Sequence, residues 1–153
     1  MMRLSVLSLA GVFLFAACSK SSSSPAASGS LSATVGAASF QGTSTNGVYS
    51  KSLGELVVFS FNAKDSFELI IPYPPRINQP LISDSSYIRF DTKGIEYDAF
   101  SEAGQAQLTV TAFDSSTHQF SGTFSATAYN SANASDSVVI TNGKFTTSYT
   151  ISN

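Results

Sequence analysis

The chain of 153 residues has one cysteine, one histidine and no tryptophan, and only 12% of its positions carry Asp, Glu, Lys or Arg. Each shortage excludes something. One cysteine, Cys18, rules out a disulfide within the chain. One histidine and one cysteine argue against a zinc site built from the usual His and Cys ligands. Absence of tryptophan removes the Gly-x-Trp start of lipocalin-like carriers. Charge at about half the usual share, with a formal net of −2, argues against nucleic acid as a partner, because phosphate neutralisation needs clustered Lys and Arg. The cations Arg3, Lys20, Lys51, Lys64, Arg76, Arg89, Lys93 and Lys144 are scattered singly. No segment holds a 3.6-residue apolar period over 11 or more positions, which argues against long helices.

Hydroxyls are plentiful instead, with 29 serines and 13 threonines, so the surface is solvated by neutral polar groups more than by ions. The amino terminus begins Met1-Met2-Arg3 and continues as a 14-residue apolar stretch, Leu4 to Ala17. That length suits a signal peptide and falls short of the ~20 residues that span a bilayer. Residues 19–30, SKSSSSPAASGS, carry 7 serines in 12 positions, have no apolar period, and read as a flexible tether.

At Phe15-Ala16-Ala17-Cys18 the sequence resembles a bacterial lipoprotein signal, with Phe15 standing where leucine is usual. The resemblance implies cleavage before Cys18 and acylation of its thiol and new amine, a form of palmitate-type membrane anchoring that stays bound because several chains add about 0.8 kcal/mol per buried methylene. The alternative is a plain secretory signal cut after Ala17 or beyond, which leaves a free thiol. The organisation expected is therefore a signal peptide over 1–17, a lipidated Cys18 and tether over 18–30, and a β domain over 31–153, held at the outer membrane on its periplasmic side.

From Leu31 onward, alternation and turn punctuation dominate. LSATV, SFELI, QLTVTAF, FSGTFSATAY and FTTSYTI each place apolar or small residues on one side, and ELVVFSF suits a strand buried on both faces. Turn signals fall at Asn46-Gly47, 62–65, 72–80, Lys93-Gly94, 102–105, 114–118, 130–136 and Asn142-Gly143. The expectation is an all-β antiparallel meander of about 9–10 strands forming a two-sheet sandwich or a flattened barrel. One hairpin can be registered: with Lys93-Gly94 as its loop, Thr92 faces Ile95, Phe90 faces Tyr97, Ile88 faces Ala99, and Arg89 faces Asp98.

GTFSATAYN (residues 122–130) followed by VVITNGKF (138–145) is similar to a family of small bacterial envelope lipoproteins with a β-rich domain of unknown function. SATVGAASF (32–40) matches the way that family opens. The resemblance implies a lipid-anchored β domain and brings no catalytic residues with it.

No catalytic constellation emerges from the residues themselves, and no cofactor or metal is expected. His118 lies in the polar turn DSSTHQ, beside Asp114, Ser115 and Ser116, where water is hard to exclude. Asp91, Glu96 and Asp98 cluster in the registered hairpin. They read as a solvated face with Arg89 as partner, against the alternatives of a glycan-hydrolysing pair or a calcium site. The longest irregular loop, IPYPPRINQP, offers Tyr73, Arg76 and Asn78 as a surface for a carbohydrate, lipid or protein ligand, with Tyr87 and Tyr129 extending it. Its alternative role is to cap an open end of the domain. Asp136-Ser137-Val138 resembles a short bacterial O-glycosylation acceptor. The resulting expectation is a non-enzymatic envelope binding or structural module, with a hydrolase or a strand-adding assembly subunit as the alternatives.

Overall fold

The computed structural model describes residues 29–81, 86–101, 103 and 105–153. Cys18, the expected signal and the tether up to residue 28 lie outside the described residues. Strands β1 (Ser30–Val35), β2 (Ala38–Gln41), β3 (Ser44–Ser50), β4 (Glu55–Phe61), β5 (Asp65–Pro72), β6 (Tyr87–Thr92), β7 (Ile95–Phe100), β8 (Ala106–Asp114), β9 (Gln119–Asn130) and β10 (Asn133–Ser152) form one mixed sheet. Its order is β2-β1-β10-β3-β4-β5-β6-β7-β9-β8, and β9 also pairs with β10. β3 to β7 run as a continuous antiparallel meander.

The departure from an all-antiparallel sheet is β10 against β3. β10 is 20 residues long, and β1 is spent at Thr146. The remaining residues, Tyr149–Ser152, run on to pair in parallel with Gly47–Ser50.

Period-two burial builds the core. Phe67, Leu69 and Ile71 on β5 are buried, as are Phe120, Phe124, Ala126 and Ala128 on β9. Each large side chain moved out of water stabilises the fold by about 1.5–3 kcal/mol. Phe67 is central, with Phe40, Phe90 and Phe124 ring centroids 4.8, 4.8 and 5.5 Å away. On β8 the alternation slips. A register shift between Val110 and Ala112 leaves Ala112 exposed and turns Phe113 towards the core. At the end of β10, Ile151 is exposed rather than continuing the inward row of Phe145, Thr147 and Tyr149.

β4 is buried on both faces only from Leu56 to Val58, and Phe59 and Phe61 are exposed. Their outward neighbours explain this: Phe59 lies between Asn46 and Glu68, and Phe61 between Ser44 and Ser66, so nothing apolar covers them. Two expected turns are strand interior. Gly47 sits within β3, where a Cβ would come 2.6 Å from the Ser148 carbonyl oxygen; glycine there permits close approach of β10. Asn142 (φ 54°) and Gly143 form a bulge inside β10, opposite Phe124 of β9.

Candidate binding surface and end cavity

The sheet's geometry distributes the polar side chains over three places. In the first, residues 73–81 lie along β8 as a strap. Asn78 N–H donates to the Val110 carbonyl at 2.8 Å and Leu81 N–H to that of Leu108 at 2.8 Å, so the loop covers a sheet edge that would otherwise stay open. Tyr73 leads the strap inward. Its ring stacks on Tyr49 at 3.9 Å and meets Phe113 edge-on at 5.8 Å. Burial is the first cause that raises the Tyr149 pKa, and Tyr73 adds to it. Arg76 and Asn78 are exposed on the strap's outer side. The three residues therefore do not converge: Tyr73 joins an aromatic cluster at the core's edge, and the other two face water.

The second place is the outer face of β4 to β7. The hairpin at Lys93-Gly94 has the register that the charges and rings require, with Arg89 opposite Asp98, Asp91 opposite Glu96 and Phe90 opposite Tyr97. Lys93 and Gly94 both have positive φ, 51° and 78°, as a two-residue primed turn demands. Arg89 is the hub. Its Nε donates to Asp98 Oδ1 at 2.9 Å, while Nη1 lies 3.4 Å from Glu96 Oε2 and 3.9 Å from Glu68 Oε2. The hydrogen bond to Asp98 is the main reason that the Arg89 pKa is raised. Burial raises the Glu68 pKa; Arg89 opposes this, and Asp91, Asp98 and Glu96 reinforce it. The guanidinium also lies 5.5 Å from the Tyr87 ring centroid, and Tyr87 packs at 5.6 Å on Phe100.

Side by side across the strands, the outer row reads Phe59, Glu68, Arg89, Asp98, Tyr129. The next row reads Val57, Ile70, Tyr87, Phe100. Sequence reasoning had the hairpin cluster and the outward Tyr87 and Tyr129. It missed Glu68 and Phe59, which come from strands 20 or more residues away and carry no local signal. Among the described residues no group of three His, Cys, Asp or Glu side chains is placed to hold a metal ion.

His118 belongs to neither place. It has φ 54° in the β8–β9 turn, and its ring lies 4.9 Å from that of Tyr149. Asp114 does not orient it. The carboxylate accepts instead from Ser116 Oγ at 2.6 Å and Thr117 Oγ at 2.8 Å, and these bonds hold its pKa down to about 2.

The third place is a cavity of about 290 Å³ at the end of the sheet where the β1–β2 and β6–β7 hairpins turn. Phe40, Phe90, Tyr97 and Asp65 line it, and Ala38 and Ser137, both exposed, lie on its rim. Tyr97 is held by its hydroxyl, which donates to Asp136 Oδ2 at 3.0 Å; Asn130 Nδ2 donates to the same oxygen at 3.0 Å. Asp136, in the segment that resembles a glycosylation acceptor, thus has a structural task.

No protein-family model, no curated protein and no solved structure matches the chain.

Proposed function

We propose that the chain is a lipid-anchored module of a bacterial envelope, tethered through Cys18 at the periplasmic side of the outer membrane, whose β domain binds a ligand and performs no catalysis. The recognition surface in this reading is the outer face of β4 to β7 with Tyr129 of β9, and the ligand is a saccharide chain. The observation that carries it is the row Phe59, Glu68, Arg89, Asp98, Tyr129, flanked by Tyr87 and Phe100. Phe59, Phe100 and Tyr129 are 36–41% exposed although the core is complete without them. Strands lie ~4.8 Å apart, so the row offers aromatic plates at both ends of a charged centre. Such plates stack on sugar faces, and the carboxylates held by Arg89 accept from vicinal hydroxyls.

The same ion pairs weigh against hydrolysis. Asp98 and Glu96 are each engaged by Arg89 on an open sheet face, whereas a hydrolytic pair needs two carboxylates flanking a bound glycosidic bond. We also read the pairing as a flattened barrel rather than two separate sheets, because β9 joins β10 and returns the ladder to its start.

Affinity electrophoresis through envelope polysaccharides tests the surface. Wild-type protein is retarded, and Phe59→Ser and Tyr129→Ser, both at exposed positions, run freely. Equal retardation of the variants, or no retardation in any polysaccharide, refutes the surface. Membrane fractionation of Cys18→Ser tests the anchor, with release into the soluble fraction expected.

A further inference from the structure

We propose that the cavity at the hairpin end is a second site, separate from the outer face, that takes a small alkylammonium ion. Its volume of about 290 Å³ corresponds to on the order of ten waters in the liquid and sits at the lower edge of small-molecule sites. The chemistry of its lining is one-sided. Phe40, Phe90 and Tyr97 supply its aromatic lining and Asp65 its acidic residue, and among the described residues no lysine or arginine lines it. Aromatic faces and a carboxylate together attract a cation whose charge is spread over methyl groups.

The lining is also fixed in place. Phe40 packs edge-on against Phe67 at 4.8 Å, and Phe90 packs on the same ring at 4.8 Å. Asp136 holds the Tyr97 hydroxyl. Thr92 Oγ donates to Asp65 Oδ1 at 2.6 Å and sets that carboxylate's orientation, while Oδ2 takes no hydrogen bond from the described residues. Lys64 and Lys93 lie in an adjoining hollow with Asp65 and Asp91, and neither forms an ion pair with Asp65 among the described residues. A primary ammonium would need several acceptors converging on one nitrogen. The cavity supplies one free carboxylate oxygen and three rings, which suits a methylated nitrogen better.

Alkylammonium groups occur both on free solutes and on lipid headgroups, and the experiment separates the two. Choline and its uncharged isostere 3,3-dimethylbutan-1-ol are titrated into the full-length protein by NMR, with vesicles of phosphatidylcholine in a parallel arm. Choline should shift resonances of Tyr97, Phe90 and Asp65, and the isostere should bind at least tenfold more weakly. Asp65→Asn, which keeps an acceptor for Thr92, should weaken choline at least tenfold. Ala38→Trp, at the exposed rim, should block it. Competition by the vesicles identifies a headgroup source, and its absence a free solute. Equal binding of choline and the isostere, shifts confined to the outer face, or no saturation by about 10 mM would overturn the proposal. Retained choline binding in the Phe59→Ser variant keeps its outcome independent of the saccharide reading.

Discussion

Two hydroxyls in the core make a sharp test of how this sheet is held together. Thr45 on β3 and Ser60 on β4 are cross-strand partners, 3% and 0% exposed, and their Oγ atoms lie 2.8 Å apart. Each satisfies the other in the buried interior. Ser60→Ala removes one partner and leaves the Thr45 hydroxyl buried and unpaired. The vacated space is that of one oxygen, less than the ~30 Å³ that a water occupies in the liquid, so solvent does not repair the loss. The cost is therefore about 1–3 kcal/mol, the desolvation penalty of an orphaned hydroxyl. With an m-value of about 2 kcal/mol/M in urea, the midpoint falls by about 0.5–1.5 M at unchanged slope. Thr45→Val alone orphans Ser60 and has a similar cost. The double variant removes both polar groups and returns to within about 0.5 kcal/mol of wild type, because neither position then leaves a buried hydroxyl unpaired. Urea unfolding of all four proteins gives the coupling directly. Additive single effects with no coupling would refute the assignment of this pair as a mutually satisfied buried hydrogen bond.

Two further outcomes follow from local geometry. Lys93 has φ 51° ahead of Gly94, a backbone region that asparagine tolerates and lysine resists, so Lys93→Asn should stabilise by about 0.5–1 kcal/mol; calorimetric melting checks it. The Asp114 carboxyl is held at about 2, below its ordinary 3.8, by the Ser116 and Thr117 hydroxyls. Its contribution to stability is therefore present above about pH 4 and is lost as pH falls towards 2, because the unfolded chain takes up that proton first. Wild type minus Asp114→Asn should show this decline in acid unfolding curves, and carboxyl NMR should place the Asp114 midpoint near 2.

Much of the strand pattern was legible because the signal is local. SFELI and FSGTFSATAY put alternate residues inward, and the slip at Val110–Ala112 is the kind of irregularity that a two-residue period cannot announce. The Lys93-Gly94 hairpin was legible to the residue, since a one-position slip would have put Glu96 among the rings. Asn46-Gly47 and Asn142-Gly143 misread as turns for one reason: glycine marks a close approach of backbones as readily as it marks a reversal. The loop that carries Tyr73 was open to two readings, a recognition tip or a cap; it is bonded along β8, and Tyr73 stacks on Tyr49.

What the amino-acid sequence determined alone is the all-β character, the inward face of most strands and the shape of one hairpin, because alternation and turn chemistry act between near neighbours. Tertiary structure alone decided that β10 runs past β1 to meet β3 in parallel, that Glu68 and Phe59 stand beside Arg89, and that Asp65 shares a cavity with Phe40 and Tyr97. Those neighbours are set by which strand pairs with which across dozens of residues, and no period within a strand encodes its partner.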